Sequence, residues 1–170
     1  TTIMKNLIIR AKPVFEQIFL VHCDAEDTKE FDDLDVIAID SIPSAEEICP
    51  DIKQLIILED LEYGQMDKVS KARLDRLFGY VSTHKNVSVY LTAQDPFSVP
   101  AIVRRCANYW VIWKQTDIDA LATVGRRTGM KSKHFISLFD KFIKGSKDSI
   151  LIELSDGSRA PLRLNGYQII

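Results

Sequence analysis

The sequence predicts an α/β fold in which a mostly parallel sheet is covered by helices on both faces, and three observations lead there. Short apolar runs alternate with stretches of helical periodicity along most of the chain. One of those runs, Leu55–Leu58 (LIIL), carries no polar residue, as a strand buried on both faces requires. The 170 residues are 46% apolar and 27% charged, which suits one domain with a substantial core. The expected organisation is a single domain over 1–170, with an α/β core at 1–145 and a small C-terminal β-hairpin extension at 146–170.

Each element has its own local reason. Residues 2–11 (TIMKNLIIRA) have helical spacing and are closed by Pro13. Ile18–His22 and Val36–Ile39 are short apolar runs and are expected to be strands. Ser44 with Glu47 three residues on forms a capping-box pattern that opens a short helix before Pro50. Lys68–Val81 places Leu74, Leu77 and Phe78 on one helical face. Val87–Ala93 (VSVYLTA) is β-branched and aromatic, so a strand is expected. A short helix over Ser98–Cys106 and another buried strand over Tyr109–Trp113 (YWVIW) follow. Helices are then expected at Ile118–Arg127, ended by Gly129, and at Lys133–Lys144, ended by Gly145. Ser149–Leu154 and Ala160–Leu164 flank Asp156-Gly157, a hairpin signal.

No apolar run approaches the roughly 18 residues of a membrane helix, and no signal peptide is read. Cys23, Cys49 and Cys106 are odd in number and widely spaced, which fits buried thiols in a reducing compartment better than disulfides or zinc. The formal net charge of −2 conceals an asymmetry. Residues 1–67 hold 5 Lys and Arg against 16 Asp and Glu, a net of −11, whereas residues 68–170 carry a net of +9. A basic C-terminal portion suits nucleic acid, or the acidic portion of a neighbouring subunit.

In a parallel α/β sheet, ligands sit beyond the carboxyl ends of the strands, so the residues that follow each strand carry the functional information. Glu59-Asp60 directly follows Leu55–Leu58. Two adjacent carboxylates there repel one another and resist desolvation, a penalty that a bound magnesium ion offsets. The same pair also fits a cap for the following turn. Val87–Ala93 runs into Gln94-Asp95-Pro96, and a glutamine at that place can touch both a lytic water and a γ-phosphate. It fits a loop amide as well. The order strand, carboxylates, helix, strand, glutamine is more specific than either half.

With those residues in view, Leu55–Leu61 (LIILEDL), Ser82–Gln94 (STHKNVSVYLTAQ), Pro100–Asn108 (PAIVRRCAN) and Tyr109–Lys114 (YWVIWK) resemble the HerA/FtsK-type DNA-packaging ATPases of poxvirus-like large DNA viruses and related elements. The resemblance covers roughly residues 1–154. It implies a P-loop NTPase fold of the RecA/ASCE-like class, with Glu59-Asp60 as the Walker B acids and Gln94 as a sensor. It implies that Thr1 and Thr2 follow the lysine of a Walker A loop, Thr1 as the magnesium-binding hydroxyl; a plain helix cap is the other reading of that pair. The further implications are ATP and Mg2+ as cofactors, double-stranded DNA and capsid or portal-vertex proteins as partners, a homo-oligomeric ring, no membrane, and a place in the infected cell and the virion.

The sequence also departs from that family. None of its seven glycines belongs to a Gly-x-x-x-x-Gly-Lys loop, and no strand precedes Thr1, so the loop and the central strand are expected to be missing from this chain. The first acid is Glu59 where aspartate is commoner. Ser82-Thr83-His84-Lys85 stands where the family often has Gly-Arg-His, which leaves Lys85, Arg104 and Arg105, then Arg126 and Arg127, as candidates for the cation supplied in trans. His22, His84 and His134 show no ligand spacing, and Trp110 and Trp113 are expected in the core. Two other functions fit parts of the pattern: a non-catalytic nucleotide-binding or scaffold domain that keeps the sheet without the chemistry, and a small-molecule kinase, for which no lid is evident.

Overall fold

The computed structural model describes residues 2–22, 29–60, 62–155 and 161–170. In the first of its two units, Thr1–Cys106, helix α1 (Thr2–Ile9) leads to strand β1 (Gln17–Val21), then β2 (Ile37–Ile39) and β3 (Gln54–Leu58). Helix α2 (Lys68–Arg76) runs into a π-helical segment (Leu77–Val81) and a single helical turn, α3 (Ser82–His84). Strand β4 (Val87–Leu91) and helix α4 (Ala101–Cys106) complete the unit. The four strands form one parallel sheet in the order β2-β1-β3-β4. The parallel sheet, with helices on both faces, is as expected.

Strand β3 is central, and all five of its residues are buried. Its alternation assigns each face a helix layer. Leu55 and Ile57 join Ile18 and Leu20 beneath α1, whose Met4 and Ile8 are buried against them. Ile56 and Leu58 face the other way, onto Leu74 of α2, Leu77, Phe78 and Val81 of the π segment and Val103 of α4. The continuous apolar run is thus the signature of a strand covered twice. Gln54, fully buried at the amino end, donates from its Nε2 to Gln17 Oε1 on the neighbouring strand.

Several expected elements take a different local form. Ser44–Glu47 is a turn instead of a short helix. Glu47 reaches back to the Ser44 N–H at 2.6 Å, so half of the capping box forms with no helix behind it, because Pro50 leaves too little chain to propagate one. Asp67 caps α2 by accepting from the Ser70 N–H at 2.8 Å.

The second unit, Ala107–Ile170, corrects the expectation for Tyr109–Trp113. This strand, β5, does not join the parallel sheet. It pairs antiparallel with β6 (Ser149–Glu153), followed by β7 (Leu162–Leu164) and β8 (Gln168–Ile169), in the order β5-β6-β7-β8. The expected hairpin is therefore half of a four-stranded sheet, and the Asp156-Gly157 signal lies outside the described residues. The physical reason is that an apolar run such as YWVIW has no directional preference. Trp110 and Ile112 pack onto α5 (Ile118–Arg127) and α6 (Ser132–Phe142), and β6 supplies the hydrogen bonds. Phe135, Phe139, Val124 and Leu121 fill the space between these helices and Ile150, Ile152 and Leu162 of the sheet.

Candidate functional site

The register of the parallel sheet fixes which residues meet at its carboxyl edge. Leu58 of β3 lies beside Val21 of β1 and Leu91 of β4. One residue further on, the Glu59 N–H donates to the Val21 carbonyl at 3.2 Å, and the Thr92 N–H donates to the Leu58 carbonyl at 3.0 Å. The three strand ends are therefore stitched together level with one another.

Asp60 follows in a left-handed backbone conformation, at φ 46°. Aspartate tolerates this better than most side chains, because its short polar group bonds locally. The turn is held by the Asp60 N–H, which donates to Thr92 Oγ1 at 3.1 Å. Glu59 is half-buried and Asp60 is exposed. The two carboxylates thus occupy different surroundings, one against the sheet and one open to water.

Gln94 lies two residues beyond Thr92, exposed in a bend at this same edge. The turn after it is organised by Asp95, which accepts from the Phe97 N–H at 2.9 Å through its side chain and from Ser98 Oγ at 2.6 Å through its carbonyl. The sheet thereby brings the backbones that carry Glu59, Asp60 and Gln94 onto adjacent strand ends.

The other candidates are placed elsewhere. Lys85 precedes β4, at the amino edge of the sheet, and its ammonium donates to the carbonyls of Ala45 and, at 2.8 Å, of Ile48. It anchors the 45–48 turn to the sheet. Arg104 is half-buried on α4 beside the core residue Val103, and Arg105 is exposed. Arg126 and Arg127 belong to the second unit, on the last turn of α5. Thr1 lies outside the described residues. Thr2 opens α1, where its carbonyl accepts from Asn6 Nδ2 at 3.0 Å.

Sequence reasoning passed over Thr92, whose hydroxyl sets the turn at Asp60. Its signal is faint: a β-branched residue at the end of a strand counts first as strand. Among the described residues no three His, Cys, Asp or Glu side chains gather as a metal cage. Magnesium takes only one or two protein carboxylates and keeps several waters, so it needs no such cage. Cys49 and Cys106 are free thiols, and among the described residues no helix is long and apolar enough to cross a membrane.

No family model, curated protein or solved structure matches this chain.

Proposed function

We propose that this chain carries the water-activating edge of an ATP-hydrolysing motor that translocates double-stranded DNA, of the viral genome-packaging kind. The supporting observation is the pair of carboxylates Glu59-Asp60 at the carboxyl end of a fully buried central strand, beside the strand that leads to Gln94. Hydrolysis is an in-line displacement: a water oxygen bonds to the γ-phosphorus while the bond to the ADP oxygen breaks. The exposed Asp60 carboxylate orients that water and accepts its proton. Gln94 bridges the water and the γ-phosphate. Glu59, through water, and Thr1 would hold magnesium, which when bound neutralises charge on the β- and γ-phosphate oxygens. A cation from an adjacent subunit, with Arg104 the leading candidate, offsets the charge that develops on the leaving group; Lys85, bonded to the Ala45 and Ile48 carbonyls, does not suit that role. That need for a neighbour is why a homo-oligomeric ring belongs to the proposal.

This mechanism requires a phosphate-binding loop, and the sequence contains no Gly-x-x-x-x-Gly-Lys. The sheet offers a place for the strand that would lead into it. Among the described residues β4 pairs only with β3. The Asn86 carbonyl and the Thr92 N–H turn inward to β3, so by alternation Val89 and Leu91 direct their backbone groups to the outer edge.

The test is DNA-stimulated ATP turnover of the full-length protein carrying Asp60→Asn. Asparagine keeps the tolerance for positive φ and removes the base, so turnover is expected to fall about 100-fold or more with the fold intact. Unchanged turnover would overturn the motor and favour a non-catalytic nucleotide-binding or scaffold domain.

A further inference from the structure

The second unit presents a cationic helix face that the hydrolysis mechanism does not use. Helices α5 and α6 are joined by four residues, Thr128 to Lys131, with Gly129 at φ 75°. Phe135 and Phe139 turn one face of α6 into the core against the antiparallel sheet. The opposite face is exposed. Lys133, Ser137 and Lys141 recur on it at i, i+4 and i+8, and Lys144 continues the stripe just past the helix. Lys131 and Arg126 extend it around the turn, both exposed.

Asp140 is the only acidic residue in α6. On the helix itself Lys133 and Lys141 stand roughly 12 Å apart, with Ser137 between them. Lys141 in the last turn and Lys144, whose Nζ donates to the Asp140 carbonyl at 2.5 Å, suit the negative end of the helix. A polyanion laid along the stripe releases its own counterions.

We infer that the outward face of α6, with Lys131, Lys133, Lys141 and Lys144, is a docking surface for the phosphate backbone of double-stranded nucleic acid. This deepens the motor proposal by naming where its DNA partner is held. Lysines make point contacts with phosphates and no planar base contacts, so binding is indifferent to sequence.

The experiment measures binding of a fluorescent duplex DNA by the whole chain, without nucleotide, as salt is raised from about 50 to 200 mM. Omitting nucleotide separates this surface from ATP hydrolysis, so that either can fail alone. Four phosphate contacts predict a loss of affinity of roughly 150-fold over that range. The double variant Lys133→Gln, Lys141→Gln is expected to bind more weakly and to lower the slope of log affinity against log salt by about 2. A control with two exposed cations of the first unit replaced, Arg10→Gln and Lys68→Gln, is expected to keep the parent slope. Thermal melting of both variants verifies that they fold. No binding at low salt, or the same slope in variant and control, overturns the inference. So does salt-sensitive self-association without DNA binding, which would assign the lysines to the acidic unit of a second copy.

Discussion

Gly125 on α5 is the position where helix packing and side-chain size are most tightly linked. A β-carbon added there would lie 2.7 Å from Phe135 Cβ, 3.0 Å from its Cγ and 3.2 Å from its Cδ1. Ordinary contact begins near 3.4 Å, so Gly125→Ala requires α5 and α6 to separate by about 0.7 Å. No rotamer change relieves this, because the β-carbon of Phe135 is fixed to its backbone and the ring is fully buried. Alanine offers a helix-propensity gain of about 1 kcal/mol over glycine. Overpacking costs about 1–3 kcal/mol, and a clash between two atoms tied directly to backbone belongs at the upper end. The net expectation is a destabilisation of about 2 kcal/mol. In a unit of this size that lowers the melting temperature by about 8–16 °C. Differential scanning calorimetry reads it, with Gly64→Ala as the control, since nothing lies within 4 Å of a β-carbon at Gly64. A melting temperature equal to or above that of the parent would refute the close approach of the two helices.

Two further expectations concern the carboxyl edge and acid stability. Thr92→Val removes the acceptor for the Asp60 N–H and should cost about 0.5–1 kcal/mol in urea unfolding, the lower end because Asp60 is exposed. Its ATP turnover should fall by more than that stability loss explains, and unchanged turnover would detach Thr92 from the chemistry. The Asp67 carboxylate lies below its ordinary range because the Ser70 N–H donates to it, Glu47 likewise through the Ser44 N–H, and Asp148 through the N–H groups of Gly145 and Lys144. All three pKa values are depressed in the fold. Their stabilisation is therefore fully present above the ordinary carboxylate range, about pH 4, and is lost as pH falls through the lower folded values. Urea midpoints should stay level down to that range and then decline. Asp67→Ser keeps a helix cap without a titrating group and should make the acid limb shallower.

How much of this was legible follows from the kind of signal each residue gives. Leu55–Leu58 is readable because a strand covered on both faces has no polar positions, and Glu59-Asp60 stands out because charge follows it at once. The topology of Tyr109–Trp113 was not readable, since its apolar residues suit either sheet and the choice is made by a partner strand 40 residues later. Lys85 looks like a free cation in sequence, whereas its two carbonyl partners lie 37 and 40 positions away. Gly125 sits in a helical pattern where glycine counts as a weakness, and only the position of Phe135 explains it. Periodicity finds what a segment does to itself and is silent about long-range neighbours.

The π-helical segment after α2 has a consequence for how this chain can change. Leu77–Val81 closes with the Ser82 N–H bonded to the Leu77 carbonyl five residues back, one step wider than an α-turn. The widened turn lies between Leu74 and Val87, both in the same core cluster. Leu77, Phe78 and Val81 of this segment are themselves in the core, so gaining or losing one amino acid there would turn buried side chains away from the sheet.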